Sequence, residues 1–233
     1  MFKSIRKDIR AAMDKDPAAR SAFEILLCYS GVHALIVYRF THWLWWGPKL
    51  RLMARFISQI GRFFTGIEIH PAAQIAPGLF IDHGMGVVIG ETTIIGENVL
   101  IFQGVTLGGT GKEHGKRHPT IGNNVLIGVG AKVLGNITVG DGAVIGGGAV
   151  VLKNVPPNCT AVGVPARIVK EDGKRVMDLR HEQLPDPVTQ MLRGMNERIN
   201  MLERHVASLK DQHPEDRHLP GETVHAEVGS DSE

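Results

Sequence analysis

Between Ile69 and Val151 an aliphatic residue returns at every sixth position, and the rhythm is broken in two places only. The series runs Ile69, Ile75, Ile81, then Ile89, Ile95, Ile101, Leu107, and resumes at Ile121, Ile127, Val133, Val139, Ile145 and Val151. A period of 3.6 marks a helix face and a period of 2 a strand face; six fits neither. It fits a coil of short parallel strands, one hexapeptide per side, with the aliphatic residue pointing inward. Glycine follows the aliphatic residue at Gly90, Gly96, Gly122, Gly128, Gly140 and Gly146, where the chain must turn a corner. A second inward series, Thr93, Val99 and Val105, runs four residues behind the first. Ordinary crossovers between parallel strands need a dozen or more residues, which this spacing does not supply. The pattern predicts a parallel β-helix of about four turns, three hexapeptides to a turn.

Other rhythms flank the coil. Residues 1–65 read as an α-helical region, with a helix start at Asp16-Pro17, an amphipathic apolar helix over Phe23–Trp46, and a break at Gly47-Pro48 before a further helix to Phe64. The coil occupies 66–170; Val155-Pro156-Pro157 ends its ladder, since proline cannot donate to it. Gly163 to Arg167 reads as a turn that sends the chain back along the coil. Residues 171–212 form a C-terminal helix whose apolar positions Val188, Leu192, Met195, Ile199, Leu202, Val206 and Leu209 step by four and three. That heptad seam predicts a short parallel coiled coil, the alternative being a helix laid on its own subunit. Residues 213–233 are polar and aperiodic and read as a disordered tail.

Composition changes this picture little. The formal charge of +2 on 233 residues is too mild to call for nucleic acid, and no basic patch carries interleaved aromatics. Charged and polar residues (Glu24, His33, Arg39, His42) interrupt the apolar stretch too often for bilayer burial, so no membrane partner is expected. Cys28 and Cys159 lie far apart behind no secretory signal and read as buried free thiols in a reducing cytoplasm.

A repeat is a structural device, and the places that violate it are where chemistry is sought. The first break follows Asp82-His83 and adds two residues; the second, near Gly108–Thr120, adds eight and contains Arg117-His118. A histidine on a glycine-flanked bulge suits a general base near neutral pH. Arg117 offers a planar fork for a carboxylate, and His118 a second proton carrier. Five glycines and prolines between Leu107 and Pro119 describe a projecting loop. Its Gly-Thr-Gly-Lys lacks the spacing and the following helix of a phosphate loop.

The run of [Leu/Ile/Val]-Gly-x-x-small-x hexapeptides resembles the hexapeptide-repeat acyltransferases, a resemblance that implies a left-handed coil. The segments HPAAQI (70–75), IDHGMGVVIGET (81–92), VTLGGTGK (105–112), RHPTIG (117–122) and VGVPARIV (162–169), with 16–45 before them, are similar to serine O-acetyltransferase. The resemblance implies transfer of acetyl from acetyl-CoA to the hydroxyl of L-serine by direct attack, acetyl-CoA being a co-substrate with no permanently bound cofactor or metal. It implies His83 as general base, Glu68 in place of the family's base-orienting aspartate, and His118 as a second catalytic histidine. Asp16 and Asp82 then hold the substrate amine and Arg117 its carboxylate. Gly109 and Thr110 lie by the thioester, and Val129 and Gly147 along the pantetheine arm. It further implies L-cysteine as feedback inhibitor. A homotrimer is expected rather than a hexamer, because few residues precede Asp16. The ending Ser-Asp-Ser-Glu233 lacks the terminal isoleucine with which family members engage cysteine synthase, so that partnership is not expected.

Three other readings compete: another small hydroxyl or amine acceptor on the same fold, a zinc hydratase using converging histidines, and a non-catalytic trimeric scaffold. Paired Asp-His and Arg-His motifs, suited to an amino-acid zwitterion, favour the acetyltransferase.

Overall fold

The period of six appears in space as pairing register. The computed structural model describes residues 2–111, 114–169 and 187–212; the expectations for 171–186 and for the tail at 213–233 lie outside them. Among the described residues fourteen parallel strands of two or three residues form three faces. The first face holds β1 (Glu68–Ile69), β4 (Val88–Ile89), β7 (Thr106–Gly108), β10 (Lys132–Leu134) and β13 (Val150–Val151). The second holds β2 (Gln74–Ile75), β5 (Ile94–Ile95), β8 (Thr120–Ile121) and β11 (Thr138–Val139). The third holds β3 (Phe80–Ile81), β6 (Leu100–Ile101), β9 (Leu126–Ile127) and β12 (Val144–Ile145), and continues into β14 (Thr160–Val162) and β15 (Arg167–Val169). The β14–β15 pair is antiparallel, so the chain does turn back after Gly163. The whole is a left-handed parallel β-helix.

Lys132 pairs with Val150 and Thr120 with Thr138, eighteen positions on, which is three hexapeptides. Across the first break Glu68 pairs with Val88, twenty positions on; across the second Thr106 pairs with Lys132, twenty-six positions on. The breaks are therefore insertions into an uninterrupted coil. Every member of the six-residue series is buried, none more than 7% exposed, and Thr93, Val99 and Val105 are fully buried. Each such side chain withdrawn from water contributes about 1.5–3 kcal/mol.

The third face is apolar on its outside as well. Phe80, Leu100, Leu126 and Val144 are covered by Ala11 and Ala12 of α1 (Phe2–Lys15), Ile25 of α2 (Ala22–Cys28) and Val32 of α3 (Ser30–Trp46). A buried ion pair sets this helical cover. Asp8 faces Arg39 at 3.2 Å and accepts the Gly78 N–H at 2.8 Å, while Arg39 donates to the carbonyls of Ile75 and Ala76. Burial pushes the Asp8 carboxyl up and Arg39 pulls it back. Tyr38 fastens α3 to the first coil by donating to Ala73 O at 2.7 Å and accepting from Ile75 N at 3.2 Å. α4 (Arg51–Thr65) then runs to Gly66, whose left-handed backbone ends the helix.

Three local expectations fail. No helix starts at Asp16-Pro17. The Asp16 N–H closes α1 by donating to Ala12 O, and α2 begins later under Ser21, which accepts the Glu24 N–H at 3.1 Å. Local side-chain bonds at Asp16 favour a turn as readily as a cap. The helix read over Phe23–Trp46 is two helices, bent by 78° at Tyr29. Among the described residues no single helix is long and apolar enough to cross a membrane, although this bent pair meets the length and composition of one. Both cysteines are free, but neither is fully buried: Cys28 is exposed and Cys159 half-buried.

The helix α5 (Pro187–Gln212) is a separate unit. Its seam residues Met195, Ile199, Leu202 and Val206 are all exposed.

Candidate active site

Where the chain passes from the third face to the first, Gly86, Gly104, Gly130 and Gly148 stack with φ between 66° and 76°. In successive coils Gly104 N bonds to Met85 O, Gly130 N to Gln103 O and Gly148 N to Val129 O. Asp82 N bonds to Ile101 O. This alignment leaves His83 and Gly84 as the two extra residues of the first break. His83 has φ +56°, left-handed backbone unusual outside glycine. Its imidazole is largely exposed, with Nε2 3.9 Å from Asp82 Oδ1.

Asp16 joins this edge from the end of α1. Its Oδ1 accepts the Ala18 N–H at 2.8 Å and its Oδ2 accepts the Tyr29 hydroxyl at 2.6 Å. Burial pushes the Asp82 carboxyl up, His83 draws it down, and the Asp16 carboxylate adds a further upward push. Two carboxylates that disfavour one another's charge make a place for a cation. Along the same edge, beneath Met85, stand Gln103, Val129 and Gly147. Gly147 is exposed, with the place a Cβ would take lying over the Val129 backbone, and Gln103 Oε1 is buried without a hydrogen-bond partner among the described residues.

Arg117 and His118 are elsewhere. They precede β8, on the edge between the first and second faces, together with Gly109 and Thr110 after β7 and with Glu91 and Thr92 after β4. Arg117 Nη2 donates to Glu91 Oε2 at 2.5 Å. The Thr92 hydroxyl oxygen accepts the backbone N–H of Arg117 at 3.0 Å and of His118 at 3.1 Å. The Thr92 N–H in turn points at His118 Nδ1 at 3.2 Å. Nδ1 is thus an acceptor, so neutral His118 carries its proton on Nε2. Burial, then Arg117, lowers the affinity of His118 for a second proton. A Cβ on Gly90 would collide with the His118 ring, so the ring lies against bare backbone. His70, with Nδ1 accepting the Ala72 N–H at 3.0 Å, is a further neutral imidazole by this edge. Burial lowers its pKa to about 4.

Within one chain, then, the structure brings Asp16, Asp82, His83, Val129 and Gly147 to one edge, and Gly109, Thr110, Arg117 and His118 to another. The first face separates them. Glu68 lies on that face but meets Arg62 at 2.9 Å rather than His83. Tyr29, Thr92 and Glu91 were not singled out from sequence; their partners are 13 to 26 residues away, brought close by helix packing for Tyr29 and by the stacking of coils for Thr92 and Glu91. Two concavities of about 540 and 370 Å³ open over the second face and its edge, and neither includes Asp82 or His83. Among the described residues no three His, Cys, Asp or Glu side chains are grouped to hold a metal.

A left-handed coil with an exposed imidazole at one edge and a guanidinium at another fits the class of hexapeptide-repeat acyltransferases. Residues 118–153 match the bacterial transferase hexapeptide family, and residues 1–36 match the N-terminal family of serine acetyltransferase. The serine acetyltransferase of a Synechocystis strain is 55% identical over 92% of this chain and 86% of its own length. That of Bacillus subtilis is 55% identical over 91% and 97%. A solved serine acetyltransferase in complex with cysteine superposes with TM-score 0.71 at 47% identity, over 72% of this chain and 70% of the other. The Neisseria gonorrhoeae enzyme in complex with serine (TM-score 0.69, 44%) and one in complex with CoA (0.69, 45%) each cover 72% of this chain and 69% of theirs. The chain belongs to the serine acetyltransferase family.

Proposed function

We propose that the protein acetylates L-serine in a cleft built from two copies of the chain, one lending the His83 edge and its neighbour the Arg117 edge. The observation that carries this reading is the separation of those two groups on different edges of a rigid coil. No side-chain motion crosses a whole face, so an amino acid held at both ends needs a second copy. The activity itself is transfer of the acetyl group of acetyl-CoA to the serine hydroxyl, giving O-acetyl-L-serine for cysteine synthesis.

In this reading the substrate ammonium sits between Asp16 and Asp82. Its carboxylate takes the Arg117 fork, for which Glu91 is the resting partner, and the Nε2–H of His118 lies beside it. His83 removes the hydroxyl proton as the oxygen attacks the thioester carbonyl, a form of assistance worth about 10²–10⁴-fold. Backbone N–H groups around Gly109 and Thr110 stabilise the tetrahedral oxyanion. The CoA thiolate leaves and takes back the proton from His83. No covalent enzyme intermediate forms. The pantetheine arm runs past Gln103, Val129 and Gly147, where the absence of a side chain at 147 lets it lie on backbone. Glu68 acts on His83 only if it exchanges Arg62 for the imidazole. L-cysteine, isosteric with serine, occupies the same site as inhibitor. The assembly is a homotrimer in which the exposed seams of three α5 helices pack on one another, and two free thiols suit a reducing cytoplasm.

Thiol release from acetyl-CoA on addition of L-serine tests the reaction. His83→Ala is expected to lower kcat at least 100-fold while the trimer persists; parent-like kcat in that variant removes His83 as the base.

A further inference from the structure

The break between α2 and α3 touches both halves of the serine-holding edge. Tyr29, the residue at the bend, donates its hydroxyl to Asp16 Oδ2 at 2.6 Å. Ser30, the next residue, donates its hydroxyl to the backbone carbonyl of His83 at 2.9 Å. Gly31 follows, and a Cβ there would collide with Ile81 O, so the start of α3 is pressed against the strand end that leads into Asp82-His83. Three consecutive residues therefore contact the amine-holding acid, the base-bearing backbone and the strand that carries it.

We propose that Tyr29 and Ser30 are positioning residues for the reaction, Tyr29 fixing the Asp16 carboxylate toward the substrate amine and Ser30 holding His83 in its left-handed backbone. The inference rests on the activity and substrate pose above.

The chemistry of each contact sets what it does. With Oδ1 on Ala18 N–H and Oδ2 on the Tyr29 hydroxyl, the Asp16 carboxylate cannot rotate, and each oxygen keeps a lone pair for an ammonium. Without the phenol one oxygen is unpinned, and the carboxylate must be ordered when the ligand binds. The tyrosine is suited to a permanent donor's role: the bond to Asp16, with burial, pushes its pKa up to about 12, so it keeps its proton throughout the assay range. At His83 the left-handed conformation is unfavourable for a residue with a Cβ, and the Ser30 hydroxyl is a side-chain bond that holds that peptide from outside the bulge. The bend is what lets neighbouring residues reach both places; a straight helix over Phe23–Trp46 would point consecutive side chains about 100° apart.

The test compares the parent with Tyr29→Phe and Ser30→Ala as full-length chains. Formation of O-acetyl-L-serine from acetyl-CoA and L-serine is measured directly, because the two competitive probes, L-cysteine and 3-mercaptopropionate, are themselves thiols. The second probe keeps the thiol and carboxylate and lacks the amine. Tyr29→Phe is expected to raise KM for L-serine and Ki for L-cysteine about tenfold, equivalent to about 1.4 kcal/mol. It should leave kcat, KM for acetyl-CoA and Ki for 3-mercaptopropionate within about twofold. Ser30→Ala is expected to lower kcat about fivefold with KM for serine unchanged. Equal losses toward both probes in Tyr29→Phe, or serine constants like the parent's, overturn the inference while leaving the activity standing. A KM effect in place of a kcat effect in Ser30→Ala overturns the role at His83. Absence of serine-dependent thiol release by the parent overturns the activity, and this inference with it.

Discussion

At the scale of single residues, what was legible in the sequence was what broke a rule. His83 and Arg117 stood out because the hexapeptide count fails beside them, and the structure finds them on inserted segments. Thr92 obeyed the count and gave no signal, yet its hydroxyl and N–H set the backbone of Arg117 and the tautomer of His118 from 25 and 26 residues away. His70 is a similar case with a measurable consequence. In the folded chain burial lowers its pKa from 6.5 to about 4. On unfolding the imidazole returns to near 6.5, so between those values the unfolded chain binds a proton that the folded chain refuses. Stability therefore falls as pH drops through that window, and this residue contributes no such slope above it. Melting temperatures taken from pH 7.5 to 5 are expected to fall for the parent and to fall less for His70→Gln. Parallel curves would show that the imidazole is solvated when folded.

At the scale of elements, the coil was readable because each hexapeptide makes the same local decision: one aliphatic residue in, one corner, one short strand. The helices were less so. Asp16-Pro17 and the apolar run around Tyr29 are compatible locally with a cap and with one continuous helix, and packing against the third face decides otherwise. The coil's periodicity also says which positions are costly. Ile127 is wholly buried in the central stack, whereas Gln74, also a strand residue, points to solvent from the second face. Truncating Ile127 to Ala is expected to lower stability by about 2–5 kcal/mol, since neighbouring coils cannot close the void. Gln74→Ala should stay within about 0.5 kcal/mol. Chemical denaturation of the two variants beside the parent checks this, and equal midpoints would mean that the inner stack is not what holds the coil together.

At the scale of the whole molecule, the sequence carried the site's ingredients and not their distribution. His83 and Arg117 are separated along the chain by little more than a coil, but they fall at different corners of a prism. A residue list cannot distinguish a cleft inside one prism from a cleft between two. Subunit mixing can. A chain with His83→Ala keeps an intact Arg117 edge, and a chain with Arg117→Ala keeps an intact His83 edge. If each site draws one edge from each of two neighbours in a closed threefold ring, every ring containing both chains has one complete site of three. Random assembly of equal amounts makes about three rings in four mixed, so the co-expressed pair should recover about a quarter of parental activity from two nearly inactive parts. Either variant refolded alone should recover none. A site contained within a single chain gives no recovery at any mixing ratio, because every such site then carries one of the two lesions. The same mixtures, analysed by mass after co-purification on a tag carried by one variant only, report whether mixed rings formed, so that silence in the assay counts against the shared cleft and not against assembly.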